Sequence, residues 1–135
     1  MDIKMKATHT NKPNGTGLAR IIKATRCSAQ GMQAAYKEES AFRQETWLFF
    51  FSLPLSILIV ESVAQWALLL SCILLVLVIE LINSAIEALT DRVGLEYHML
   101  SGRAKDMASA AVTLTLVICS LIWIAAAIGW YQRLN

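Results

Sequence analysis

The stretch VIELINSAIEALTDR, residues 78–92, closes an apolar run long enough to lie in a bilayer, yet it holds Glu80, Asn83, Ser84, Glu87 and Asp91. At ~100° per residue in an α-helix, those five side chains fall within about 60° of one direction. Leucines and isoleucines cover the rest of the surface. A polar face of this kind has to look into a bundle or a cavity. If the helix enters the membrane near Trp66, Glu80 lies about 14 residues inward, or ~21 Å. In a hydrocarbon layer ~30 Å thick, that is inside but toward the far edge. Glu87 and Asp91 then lie progressively nearer water.

A carboxylate at that depth is costly and marks a functional site by default. The structural alternative is a residue that only hydrogen-bonds neighbouring helices. For Glu87 and Asp91 it is a pair of solvated helix-end charges. Taken together, the stripe suits one chemistry. The deepest carboxylate meets a group carried by a lipid. The shallower ones hold a divalent cation, since Mg²⁺ takes a few carboxylates along with substrate phosphates and water.

The rest of the chain supports a membrane setting. Of 135 residues, 56% are hydrophobic and 16% are charged, against roughly 45–50% and about 25% in ordinary globular domains. The net charge of +2 argues against a nucleic-acid partner. Apolar segments cover residues 47–60, 63–79 and 107–131. They predict an all-α membrane protein with transmembrane helices over about 39–60, 63–92 and 102–131. The first two form a hairpin, and Pro54 is expected to kink the first without breaking it. Residues 1–14 have no apolar core of a signal-peptide kind and are expected to be a flexible tail. Residues 15–135 form one domain. Cys27, Cys72 and Cys119 are read as small buried hydrophobes, with no disulfide framework and no zinc site.

Lysine and arginine set the orientation. Eight basic residues, from Lys4 to Arg43, precede the first apolar segment, and Arg92, Arg103 and Lys105 lie between the second and third. The N-terminus is therefore expected in the cytoplasm and the C-terminus on the outer side. Before the first span, over about residues 16–37, Leu18, Ile21, Ile22, Thr25, Ala29, Met32 and Tyr36 recur at spacings of three and four. Arg20, Lys23 and Arg26 lie off that stripe. Such a helix lies on the membrane surface or packs on partner subunits.

A second polar cluster, EYHMLSGRAKDMASAAV, covers residues 96–112. Ser101-Gly102 is expected to open the last helix. This puts Lys105 and Asp106 at the cytoplasmic surface and Ser109 just inside. Lys105 and Asp106 alone would be interface anchors. Beside the carboxylate stripe, basic groups at a helix N-terminus read as a phosphate site. His98 alone is a loop histidine. No Walker-type loop, dinucleotide fingerprint or protein-kinase signature occurs.

GLARIIKA (residues 17–24), AFRQE (41–45) and the long block ELINSAIEALTDRVGLEYHMLSGRAKDMASAAV (80–112) resemble the prokaryotic integral-membrane diacylglycerol kinases, over residues 15–131 in all. The resemblance implies a homotrimer in the bacterial inner membrane with active sites between subunits. It implies transfer of the γ-phosphate of Mg-ATP to diacylglycerol, giving phosphatidic acid. It makes Glu80 the general base, with Asn83 organising the centre and Glu39 and Glu87 holding metal. Nucleotide contacts fall to Arg20, Cys27, Glu39, Glu87, Glu96, Tyr97, His98, Lys105 and Asp106. Lipid contacts fall to Arg20, Ser28, Ala41, Arg43, Glu80 and Ser109. Cys27 departs from the pattern, which often has an aromatic residue there. An undecaprenol kinase of the same architecture is the alternative. An ion-coupled transporter fits less well, because the polar residues crowd toward one surface.

Overall fold

The structure, a computed structural model, describes residues 17–94 and 96–135. The tail expected over residues 1–14 lies outside them. Among these residues four helices follow one another: α1 (Leu18–Glu38), α2 (Ser40–Ile59), α3 (Val63–Val93) and α4 (Met99–Leu134). The chain divides into two compact units, one ending at Met32 and the other running Gln33–Asn135.

In the first unit, α1 starts at Gly17, whose φ of +65° is one that glycine adopts without strain. The Gly17 carbonyl accepts a hydrogen bond from the Arg20 N–H at 3.1 Å. Leu18, Ile21, Ile22 and Met32 form an exposed apolar stripe. Arg20, Lys23 and Arg26, also exposed, fall off it, as a helix of mixed character requires.

In the second unit, α1 gives way to α2 at a single extended residue, Glu39 (φ −101°, ψ 119°). The Arg43 guanidinium donates to the Tyr36 and Lys37 carbonyls at 3.1 and 3.0 Å, satisfying the end of α1 from within α2. Pro54 removes one backbone donor from α2 but does not end it. On either side of it the Ser52 and Ser56 hydroxyls donate to the Phe49 and Leu53 carbonyls at 2.7 and 2.8 Å. The turn into α3 is held by two hydrogen bonds through Gln65. Ser62 Oγ accepts from the Gln65 N–H at 3.1 Å, and Gln65 Oε1 accepts from the Glu61 N–H at 2.8 Å. This resembles a capping box, with the returning bond made to the residue before the N-cap. At that same end, Arg133 of α4 pairs with Glu61 at 2.9 Å and donates to the Ile59 carbonyl at 2.7 Å.

The last helix begins at Met99, ahead of the Ser101-Gly102 start read from sequence. The reason is local: His98 Nδ1 accepts the Leu100 N–H at 3.2 Å and serves as the N-cap.

α3 packs against both α2 and α4. Its inward face carries Leu69, Cys72, Ile73 and Val76, which meet Cys119 and Ala126 of α4 and Ile59 of α2. The Trp123 indole crosses the packing seam and donates to the Leu69 carbonyl at 3.3 Å. Outside this narrow core the surface is apolar: Phe51 is 70% exposed, Leu58 69% and Leu114 65%. A soluble monomer does not carry apolar cover on that scale, and lipid or partner helices suit it.

Among the described residues two helices, α3 with 31 residues and α4 with 36, are long and apolar enough to cross a membrane. At ~1.5 Å per residue, α3 is about 46 Å long, which exceeds a ~30 Å hydrocarbon layer and leaves its polar end outside. α2 falls short of the same criterion because Arg43, Gln44 and Glu45 occupy its first turns.

Candidate active site

The polar stripe of α3 forms as its spacing requires. Glu80 and Asn83 are buried, at 4% and 9% exposure. Glu87 is half-buried and Asp91 is exposed, so the stripe climbs from interior to surface. The Asn83 amide donates to Glu87 Oε1 at 3.1 Å, and Ser84 Oγ donates to the Glu80 carbonyl at 2.9 Å. Asn83 Oδ1 is buried without a partner.

Glu39 and Glu87 both act electrostatically on Glu80. Glu39 is positioned by the break between α1 and α2, and Glu87 by the register of α3. A fourth carboxylate joins them. Glu45 is buried on α2, is an electrostatic neighbour of Glu80, and has one oxygen, Oε2, with no hydrogen-bond partner. The sequence reading did not single out Glu45. The signal was present: it is a carboxylate at the head of an apolar run, the same reasoning that selected Glu80.

Among the described residues the ion pairs are Lys105–Asp91 and Arg133–Glu61. None of Glu39, Glu45, Glu80 and Glu87 therefore has a described cationic side chain within ion-pair distance, although Lys105 is close enough to interact with the Glu87 charge. Gathering carboxylates without counter-charge is unfavourable unless protons or a cation join them. Among the described residues no three side chains form a cage that would hold a metal unaided. Glu39 and Glu87 both lie near Glu80, and Mg²⁺ asks for few protein ligands, because it keeps waters and takes phosphate oxygens for most of its shell.

The second cluster assembles where α3 ends and α4 begins. A cavity of about 240 Å³ is lined by Asp91, Glu96, Tyr97, His98, Gly102 and Lys105. Four of the residues assigned to nucleotide, Glu96, Tyr97, His98 and Lys105, thus come together here. Tyr97 leaves 89% of its surface exposed. Lys105, ahead of the apolar stretch of α4, hydrogen-bonds the Asp91 carboxylate. The carboxylates of Asp91 and Glu87 are its electrostatic partners at this end of the helices.

Within the second unit, other assigned residues do not join this cavity. Asp106 and Ser109 are exposed on α4 and do not line this cavity, and Ala41 is exposed on α2. Arg43 has its guanidinium on the α1 carbonyls. Arg20, Cys27 and Ser28 lie on exposed α1 in the first unit. Cys27 is thus not the buried small hydrophobe that the sequence suggested, because α1 has no apolar neighbour over it in its own unit.

Fold and site define a class: helical membrane proteins whose carboxylates and basic groups gather at one end of long apolar helices. Comparison with known proteins narrows it. The profile of the prokaryotic diacylglycerol kinase family matches residues 26–127. The diacylglycerol kinase of Haemophilus influenzae is 44% identical over 108 residues, covering 80% of this chain and 92% of that protein. The diacylglycerol kinase of Escherichia coli K12 is 44% identical over 110 residues, covering 82% and 90%. That of Pseudomonas aeruginosa is 45% identical over 114 residues, covering 84% and 93%. The chain belongs to the prokaryotic diacylglycerol kinase family.

Proposed function

We propose that this chain is an ATP-dependent lipid kinase that phosphorylates diacylglycerol to phosphatidic acid by direct in-line transfer. Family membership supports the reaction class. The observation that carries the mechanism is the buried Glu80 carboxylate, flanked by Glu39 and Glu87, with none of the three in an ion pair among the described residues.

Glu80 accepts the proton of the lipid hydroxyl as that oxygen attacks the γ-phosphorus. The bond from phosphorus to the departing ADP oxygen breaks on the opposite side. This is general-base catalysis within a reaction that depends chiefly on positioning and charge neutralisation. Mg²⁺, held by Glu39 and Glu87 with the ATP phosphate oxygens, would neutralise the charge that develops on the transferred group. Asn83 holds Glu87 through its amide and offers its free carbonyl oxygen to the same space. Lys105 presents its ammonium to the phosphates, and Tyr97 offers an exposed ring to the base. Glu96, His98 and Asp106 complete the nucleotide contacts. Arg20, Cys27, Ser28, Ala41, Arg43 and Ser109 are assigned to nucleotide or lipid on their match to the family pattern.

In this reading α2 is a third span, its polar first turns lying at the cytoplasmic interface. The N-terminus is cytoplasmic, the membrane is the bacterial inner membrane, and the working unit is a homotrimer. The long exposed apolar faces of α2 and α4 support association with lipid and with further copies.

The test offers diacylglycerol and undecaprenol separately, in mixed micelles with Mg²⁺ and ATP labelled at the γ-phosphate. Label in phosphatidic acid is the expected result. Label on undecaprenol alone would keep the mechanism and change the acceptor. Folded protein that labels neither would overturn the reading.

A further inference from the structure

Two thiols that the proposed chemistry does not use lie side by side in the core. Cys72 of α3 and Cys119 of α4 are both buried, at 6% and 8% exposure, and their Sγ atoms are 3.2 Å apart. The two form a chain of donors: Cys119 donates to Cys72, and Cys72 donates to the Leu69 carbonyl at 3.0 Å. The sulfurs therefore face each other across the helix seam. A gap of 3.2 Å needs to close by only about 1 Å to reach the ~2.0 Å of a disulfide bond.

A second observation gives access. Burial keeps aqueous oxidants from this pair, but an apolar cavity of about 280 Å³ reaches Cys119 between α2 and α4. Phe51, Leu55, Val76, Ser120 and Trp123 are among its walls. On helices of this apolarity the cavity is open to molecules dissolved in lipid. Its aromatic walls also suit a flat conjugated ring.

We propose that Cys72 and Cys119 are an intramolecular oxidation site, converted to a disulfide by a lipid-soluble two-electron oxidant of the quinone class. Two S–H bonds break and one S–S bond forms. Both protons and both electrons pass to the quinone oxygens, giving one hydroquinone per disulfide. The cross-link ties α3 to α4 two turns from Glu80. By restricting the unfolded chain, it raises the melting temperature. The proposal is independent of the kinase reading, because it rests only on the packing of α3 against α4.

The experiment uses the full chain with Cys27→Ser, which removes the exposed thiol, in detergent micelles with a short-chain ubiquinone analogue. The expected result is loss of both alkylatable thiols on denaturation, a mass lower by two hydrogens, and a Cys72–Cys119 linked peptide. One hydroquinone appears per chain, and dithiothreitol restores both thiols. Adding Cys119→Ser should leave one alkylatable thiol and no hydroquinone. Two thiols that remain alkylatable would overturn the proposal. So would a mass gain from addition of the quinone, or linkage found only between chains.

Discussion

The Asn83 amide donates to Glu87 Oε1 at 3.1 Å, one turn along α3, while its own carbonyl oxygen is buried with no partner. A buried acceptor left open in this way costs free energy unless a donor or cation completes it. Asn83 thus holds the carboxylate that the proposed mechanism gives to the metal, and its carbonyl oxygen is open to a donor or cation.

Asn83→Ala should therefore act as the loss of a residue that orients a metal ligand. Such changes cost about 10–100-fold in metal affinity or activity. The expected outcome is a fall in kcat of that order with a raised Mg²⁺ requirement. Phosphate transfer measured across a Mg²⁺ titration reads both. A variant with an unchanged Mg²⁺ requirement would remove Asn83 from this role.

Lys105→Met should weaken ATP use while leaving the fold intact. A charged hydrogen bond to phosphate is worth enough that its loss raises KM for ATP by about tenfold or more. The ion pair with Asp91 is between partly exposed side chains, at 39% and 53%, so the melting temperature should stay close to wild type. Steady-state kinetics alongside a thermal melt separate the two effects.

Glu45→Gln should leave the protein as stable as wild type or more so. The change keeps the shape of a buried side chain and removes a like charge beside Glu80. A thermal melt in micelles checks it. A melting temperature lower by several degrees would show that Glu45 has a stabilising partner when in the membrane.

Arg133→Ala should destabilise the closed end of the α2–α3 hairpin. Arg133 pairs with Glu61 and also satisfies the Ile59 carbonyl at the end of α2. Loss of the latter bond should cost about 1–2 kcal/mol. Glu61→Ala removes only the half-exposed pair and should cost less than ~1 kcal/mol. Unfolding in mixed micelles should rank the two variants in that order.

What could be read from the sequence was what lies within one helix. Glu80, Asn83, Ser84 and Glu87 share a face because three- and four-residue spacings fix it, and the structure buries them in the expected order. The apolar stripe of α1 was legible for the same reason. Contacts between elements were not. Lys105 meets Asp91 across a loop, Cys119 meets Cys72 across two helices, and Glu45 joins Glu80 only because α2 packs on α3. The start of α4 was misplaced for a different reason. Ser101-Gly102 is a fair turn signal, but the His98 side chain caps the helix three residues earlier. By contrast the Ser62–Gln65 capping pair was readable from its spacing and was passed over.

The central claim is that Glu80 takes the proton of the lipid hydroxyl. Its most direct test is phosphate transfer from ATP to diacylglycerol by wild-type protein and Glu80→Gln under saturating Mg-ATP, with nucleotide binding measured on both. The account predicts that wild type makes phosphatidic acid. In Glu80→Gln, kcat should fall by about 10²–10⁴-fold, the usual contribution of a positioned base, while ATP affinity stays near wild type. A Glu80→Gln protein that transfers phosphate at the wild-type rate would contradict it.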